Sequence, residues 1–154
     1  MSVTNRLAAL IIAAWISGPA WAQPPHPIQP VDVFELEAAS DPQITSDGML
    51  VAYVRRSNDF DTDRTQSAIW LIDTDGSNHR ALPTSAGESH SPTWSPDGQS
   101  LAFVMLGETG PSLQVWERSS GRIRKLTNLD TGLSAMAWSP DGTQIAWSAF
   151  MPAA

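Results

Sequence analysis

Trp94-Ser95-Pro96-Asp97-Gly98-Gln99-Ser100-Leu101-Ala102-Phe103-Val104 has two relatives inside the same chain. They are Ile44-Thr45-Ser46-Asp47-Gly48-Met49-Leu50-Val51-Ala52-Tyr53-Val54 and Trp138-Ser139-Pro140-Asp141-Gly142-Thr143-Gln144-Ile145-Ala146-Trp147-Ser148, and all three align without a gap. Each encodes a turn and the strand that follows it. Pro96 or Pro140 presets φ for the first corner, the aspartate tolerates the second, and Gly98 or Gly142 takes the positive φ that closes a tight hairpin. In the first copy Ser46 stands in place of proline, which loses some pre-organisation, while Asp47-Gly48 keeps the left-handed position covered. After the turn, Leu101 and Phe103 lie two apart and so share one face of a strand, as do Val51 and Tyr53, and Ile145 and Trp147.

The turn aspartates are separated by 97 − 47 = 50 and 141 − 97 = 44 residues. A period of roughly 40–50 residues marks the blades of a β-propeller. A second hairpin follows each of the first two copies: Ile69-Trp70-Leu71-Ile72-Asp73 and Leu113-Gln114-Val115-Trp116-Glu117 read as strands, pass through Gly76 or Gly121, and return through Arg80-Ala81-Leu82 or Arg124-Lys125-Leu126. Four strands per repeat make a blade. The expectation is therefore an all-β chain, an incomplete β-propeller of about two and a half four-stranded antiparallel blades: blade one over about 42–83, blade two over about 91–127, and half of blade three over 134–149. Even a four-bladed ring of such repeats needs about 176 residues, so this stretch is expected to leave the ring open.

Ahead of the repeats, Arg6 is the only charged side chain before Asp32 and precedes the apolar run Leu7–Ile16. The breakers Ser17, Gly18 and Pro19 follow, and Ala20-Trp21-Ala22 offers the small residues that signal peptidase probes. Ten apolar residues fall short of the roughly 20 that span a bilayer. The expected organisation is a signal peptide over 1–22 cleaved after Ala22, a Pro-rich leader over 23–38, and the partial propeller over 39–154. Such a chain would be periplasmic or secreted, with no membrane span once mature. Cleavage leaves 154 − 22 = 132 residues and, with Arg6 gone, a charge of −7 − 1 = −8. That acidity argues against a nucleic-acid surface, which needs clustered cations to displace counterions from phosphates. The densest basic group, Arg118, Arg122, Arg124 and Lys125, reads as an exposed strand face beside a turn. With no cysteine, disulfides and thiolate chemistry are excluded.

With the hairpins in place, the stretches Asp32-Val33-Phe34, Ser40-Asp41-Pro42-Gln43-Ile44 and Ala68–Asp73 make the chain resemble the N-terminal propeller region of secreted bacterial serine peptidases of the prolyl oligopeptidase family, of the acylaminoacyl-peptidase-like or dipeptidyl-peptidase-like kind. The Ser-Pro-Asp-Gly repeat alone is also found in the periplasmic propeller protein of the Tol-Pal system, so it speaks for fold and not for activity. The resemblance implies a propeller that restricts which peptide substrates reach a Ser-Asp-His triad on a C-terminal α/β-hydrolase domain in cis. No catalytic residue of that family has a matching position in this chain, so the chain alone is expected to be inactive. The alternative is a non-catalytic propeller binding or scaffold module.

Reading the residues for chemistry of their own leads to the same expectation of no catalytic, cofactor-binding or metal-binding residue. A nucleophile elbow needs glycine on both sides of serine, whereas Gly87-Glu88-Ser89-His90-Ser91 and Gly132-Leu133-Ser134-Ala135-Met136 each have only the first. Ser89 and His90 would point to opposite faces as strand neighbours, which argues against a dyad, and the pair reads as an inter-blade loop entering blade two. His26, His79 and His90 lack the i, i+4 spacing of a helical metal site and read as surface residues. Asp59, Asp61 and Asp63 alternate like calcium ligands, yet Arg64 and Trp70 occupy the places of the loop glycine and the bidentate glutamate. Trp70, Trp94, Trp116, Trp138 and Trp147 read as packing residues.

Overall fold

The structure, a computed structural model, describes residues 29, 32, 35–59, 61–85, 87–130 and 132–149. The expected signal peptide and most of the leader lie outside these residues. Alternation of buried and open positions places ten strands in the described chain. Blade one is a four-stranded sheet of β1 (Ala38–Ile44), β2 (Leu50–Asp59), β3 (Arg64–Asp73) and β4 (Arg80–Ala81), in the order β1-β2-β3-β4. Blade two repeats it with β5 (Glu88–Trp94), β6 (Ser100–Gly107), β7 (Gly110–Glu117) and β8 (Ile123–Asn128), in the order β5-β6-β7-β8. Blade three consists of β9 (Leu133–Trp138) paired with β10 (Ile145–Ala149). Every pairing is antiparallel. The strands begin earlier than the repeat suggested, at Ala38, Glu88 and Leu133, because the turn motif marks the end of each first strand and not its start.

The period of two gives each blade two chemically distinct faces. Leu50, Ala52 and Val54 of β2 and Ile69 and Leu71 of β3 are buried against blade two, where they meet Trp94, Leu101, Phe103, Met105 and Trp116. On the other face of blade two, Val104 and Leu113 pack with Leu129 against Leu133, Met136 and Ile145, which form the near face of blade three. The core is thus two inter-blade layers, each built from the odd face of one repeat and the even face of the one before.

The first strands of blades one and two share a bulge that the sequence spells out. Register shifts between Ser40 and Gln43, and between His90 and Thr93. Asp41 (φ 51°) and Ser91 (φ 55°) take the left-handed conformation just before Pro42 and Pro92. A proline has no N–H for the ladder, so the strand bends there. In blade three, Met136 stands in the proline's place, and β9 runs through that position in unbroken register from Ala135 to Trp138.

All three turns close alike. Gly98 N–H donates to the Ser95 carbonyl at 2.9 Å, as do Gly48 to Thr45 and Gly142 to Ser139. The residue before the proline position supplies a second element that the sequence reading missed. The Ser95 hydroxyl donates to Asp97 Oδ1 at 2.6 Å and accepts from Ser100 N–H at 2.9 Å, while Gln99 N–H donates to the same carboxylate oxygen. Ser139 and Asp141 repeat the arrangement, and so do Thr45 and Asp47. These bonds favour the ionised carboxylate. The Thr45 hydroxyl, the Met49 N–H and Arg118 lower Asp47 from 3.8 to about 2, and Asp97 and Asp141 are lowered for the corresponding reasons.

A carboxylate with a depressed folded-state pKa contributes stability above its unfolded pKa and loses it as pH falls through the folded one. For Asp47 that window runs from 3.8 down to about 2. Urea midpoints measured across this range are expected to fall as the solution is acidified, with a shallower slope in Asp47→Asn. Identical slopes for the two proteins would contradict the role given to this carboxylate.

Candidate interaction surface

The turns stack side by side along one rim. A Cβ on Gly98 would lie 3.3 Å from Thr45 Cβ of the neighbouring turn, so glycine serves this position twice, by its φ of +66° and by its lack of bulk. Arg118, in the turn between β7 and β8, reaches across to Asp47 with Nη1 3.0 Å from Oδ2. It is the one member of the basic group that departs from the expected solvated face, since it ties blade two to blade one.

The seams are also joined by indoles. Trp94 Nε1 donates to the Gln43 carbonyl of blade one at 3.0 Å, and Trp138 Nε1 donates to the Thr93 carbonyl of blade two at 3.0 Å. The tryptophans expected as packing residues therefore also set the spacing of successive blades. Trp116 packs edge-on against Trp94 with ring centroids 6.2 Å apart. Trp147 differs: it remains 46% exposed on the edge strand β10.

Ser89 and His90 lie within β5 and not in a loop. Ser89 is 1% exposed, and its hydroxyl oxygen accepts the Ile69 N–H of blade one at 2.9 Å, so it is a seam residue. His90 pairs with Val104 on the opposite face and contacts the Ser91 hydroxyl through Nδ1 at 2.9 Å. It is half-buried and not a surface residue, and burial is the main cause that pushes its pKa down. Ser134 is an exposed residue of β9. Asp59 accepts the N–H groups of Asp61 and Thr62 in the turn between β2 and β3, which is how that acidic stretch is used. Among the described residues no group of three or more His, Asp or Glu side chains is placed to hold a metal ion. His26 lies outside them.

What the described chain presents instead is two unlike end faces. The face of blade one turned away from blade two is aromatic and charged. Arg55 lies over the Trp70 ring, Cζ 4.4 Å from its centroid, and pairs with Glu37. His79 is exposed as expected but engaged: its Nε2 is 2.7 Å from the Tyr53 hydroxyl, and its ring sits 4.9 Å from that of Trp70. The far face of blade three is built of small side chains, Ala135, Ala137, Ala146 and Ser148, all exposed.

The described geometry matches known propellers. A family model described as the TolB beta propeller domain matches residues 48–151. An uncharacterized peptidase of Bacillus subtilis, YuxL, is 36% identical over 117 residues, which is 74% of this chain and 18% of that protein. The Tol-Pal system protein TolB of Xylella fastidiosa is 35% identical over 85 residues, 55% of this chain and 19% of that protein. This chain thus spans under a fifth of the length of these relatives. Among solved structures, an acylaminoacyl peptidase in complex with a chloromethyl ketone superimposes with a TM-score of 0.63 at 18% identity, covering 74% of this chain and 18% of that one. TolB from Acinetobacter baumannii superimposes with a TM-score of 0.55 at 26% identity, covering 71% and 26%.

Proposed function

Because the chain belongs to the TolB beta propeller domain family, we propose that it is the N-terminal propeller part of a secreted serine peptidase of the prolyl oligopeptidase family. In this reading residues 1–22 are a signal peptide, 23–38 a leader, and 39–154 the first blades of a propeller that limits peptide access to a C-terminal α/β-hydrolase domain in cis. The observation that carries it is the 36% identity to a peptidase over 117 residues, about three quarters of this chain. The chemistry supports a division of labour: Ser89 and His90, the one sequence pair resembling a dyad, are committed to a seam and to opposite strand faces. The chain supplies walls, and the nucleophile, base and oxyanion hole belong elsewhere. In this reading export to the periplasm or beyond follows from the signal peptide over 1–22.

The second reading, a non-catalytic Tol-Pal-type scaffold, is favoured by the 35% identity to TolB over a shorter stretch of 85 residues. One experiment separates them. The reading frame that contains these codons is followed downstream, and the full polypeptide is assayed on acylated peptides of increasing length. A Gly-x-Ser-x-Gly hydrolase segment, cleavage of short peptides, and loss of that length preference when the propeller is removed are expected. Further blades with no hydrolase segment would overturn the peptidase reading in favour of the scaffold.

A further inference from the structure

We propose that His90 is a pH-operated latch on the seam between blades two and three, which lets the seam close while its imidazole is neutral and loosens it when the ring takes up a proton. The latch belongs to the described seam itself, so it stands under either reading of the whole protein.

β5 is the strand through which blade two meets both neighbours, with β1, β2 and β3 on one side and β9 on the other. Its alternation sends adjacent side chains to different seams. Ser89 is the register partner of Met105, which packs in the layer shared with blade one. His90 is the partner of Val104, which packs with Leu113 and Leu129 against Leu133, Met136 and Ile145 of blade three. Those six side chains are all apolar. An ionisable ring at the border of this layer is peculiar to blade two, since Ser40 and Ser134 hold the equivalent positions in blades one and three.

A proton added to the ring sets a half-buried charge beside that layer without a counter-ion of its own. The charged groups that act on it are Glu88 of β5, Arg56 of β2 and Asp41 of β1; the two carboxylates favour the cation and the guanidinium opposes it. Both carboxylates are engaged elsewhere: Glu88 accepts the Ser67 hydroxyl at 3.1 Å, and Asp41 accepts the Gln43 amide at 3.2 Å. β6 beside His90, and β9 and β10 across the seam, carry no ionisable side chain. Burial is the largest cause, and it holds the ring's pKa below its ordinary 6.5. A folded-state pKa below the unfolded one means stability that is fully present above 6.5 and is lost as pH falls through the folded value.

The bend beside His90 connects the ring to the contact across the seam. Nδ1 lies 2.9 Å from the Ser91 hydroxyl, and Ser91 (φ 55°) turns the strand just before Pro92. The neutral ring can accept that hydroxyl, whereas in the cation both nitrogens donate and the hydroxyl has to turn round. Two residues beyond Ser91, the Thr93 carbonyl accepts the Trp138 indole N–H of blade three at 3.0 Å.

The two seam indoles supply the test. Trp138 reports the seam that His90 borders, and Trp94, bonded to Gln43, reports the seam to blade one as an internal reference. Hydrogen exchange of both indole N–H groups is followed by NMR in the 154-residue chain from about pH 7.5 to about pH 5, the range in which histidine changes charge, with free indole correcting for intrinsic rates. The protection of Trp138 is expected to fall at least about threefold more than that of Trp94. In His90→Gln the two should fall alike. The His90 ring, followed in the same samples, should titrate below 6.5. A ring that titrates at or above that value overturns the proposal, as does an equal fall at both indoles in the wild type or a difference that persists in His90→Gln. Should His90→Gln fail to fold, the wild-type ring titration and the comparison of the two indoles decide the matter.

Discussion

Phe103→Ala should lower the unfolding free energy by about 3–5 kcal/mol, the range for deleting a buried phenyl ring whose surroundings collapse only in part. Phe103 is 0% exposed and lies in the layer between blades one and two, among Leu50, Ala52, Val54, Ile69 and Leu71 on one side and Leu101 and Met105 on the other. Those neighbours are held by two separate ladders, so neither sheet is free to close on the void. Urea unfolding followed by far-UV circular dichroism measures the loss. Phe103→Leu, which keeps most of the volume, should cost less than about 1.5 kcal/mol. If Phe103→Ala cost no more than Phe103→Leu, the two blades would not share a packed layer.

Trp94→Ala is expected to be comparably severe, again about 3–5 kcal/mol, because the indole is both a packing element and a donor. The ring is 9% exposed and meets Trp116 edge-on, and its Nε1 holds the Gln43 carbonyl at 3.0 Å. Trp94→Phe separates the two contributions. It retains an aromatic face in the layer and removes the hydrogen bond, which should cost about 1 kcal/mol beyond the lost volume. Trp138→Phe removes the equivalent bond at the second seam, and there the effect should be smaller, since Trp138 is only half-buried. Equal stabilities for wild type and Trp94→Phe would mean that the indole contributes volume alone.

Much of the blade plan was legible because its signals are local. The turn Ser95-Pro96-Asp97-Gly98 declares its own geometry through one fixed φ and one positive φ, and Leu101 with Phe103 declares a strand face by spacing alone. In the sequence, the aspartate at each turn is a residue that tolerates a corner. The structure adds that it accepts the hydroxyl of Ser95, Ser139 or Thr45, a bond between residues only two apart that was available in the sequence as the Ser/Thr-x-Asp-Gly spacing. Ser89 lacks the second glycine of a nucleophile elbow, and its hydroxyl accepts the N–H of Ile69, twenty residues earlier. Nothing near Ser89 in the sequence names that partner, because β3 and β5 meet only when two sheets pack.

The division follows from the range of the forces. Turn chemistry and strand periodicity act over a few residues, so the sequence by itself determined the antiparallel blade, its repeat length and the identity of the family it resembles. Which face of each blade looks forward or back, which tryptophans bridge a seam, and why Arg118 leaves solvent for Asp47 depend on contacts between residues about 45 to 71 positions apart. Only the stacking of whole sheets brings those groups together. The same stacking makes Ala102 a buried floor and leaves Ala146, its twin in sequence, an open one.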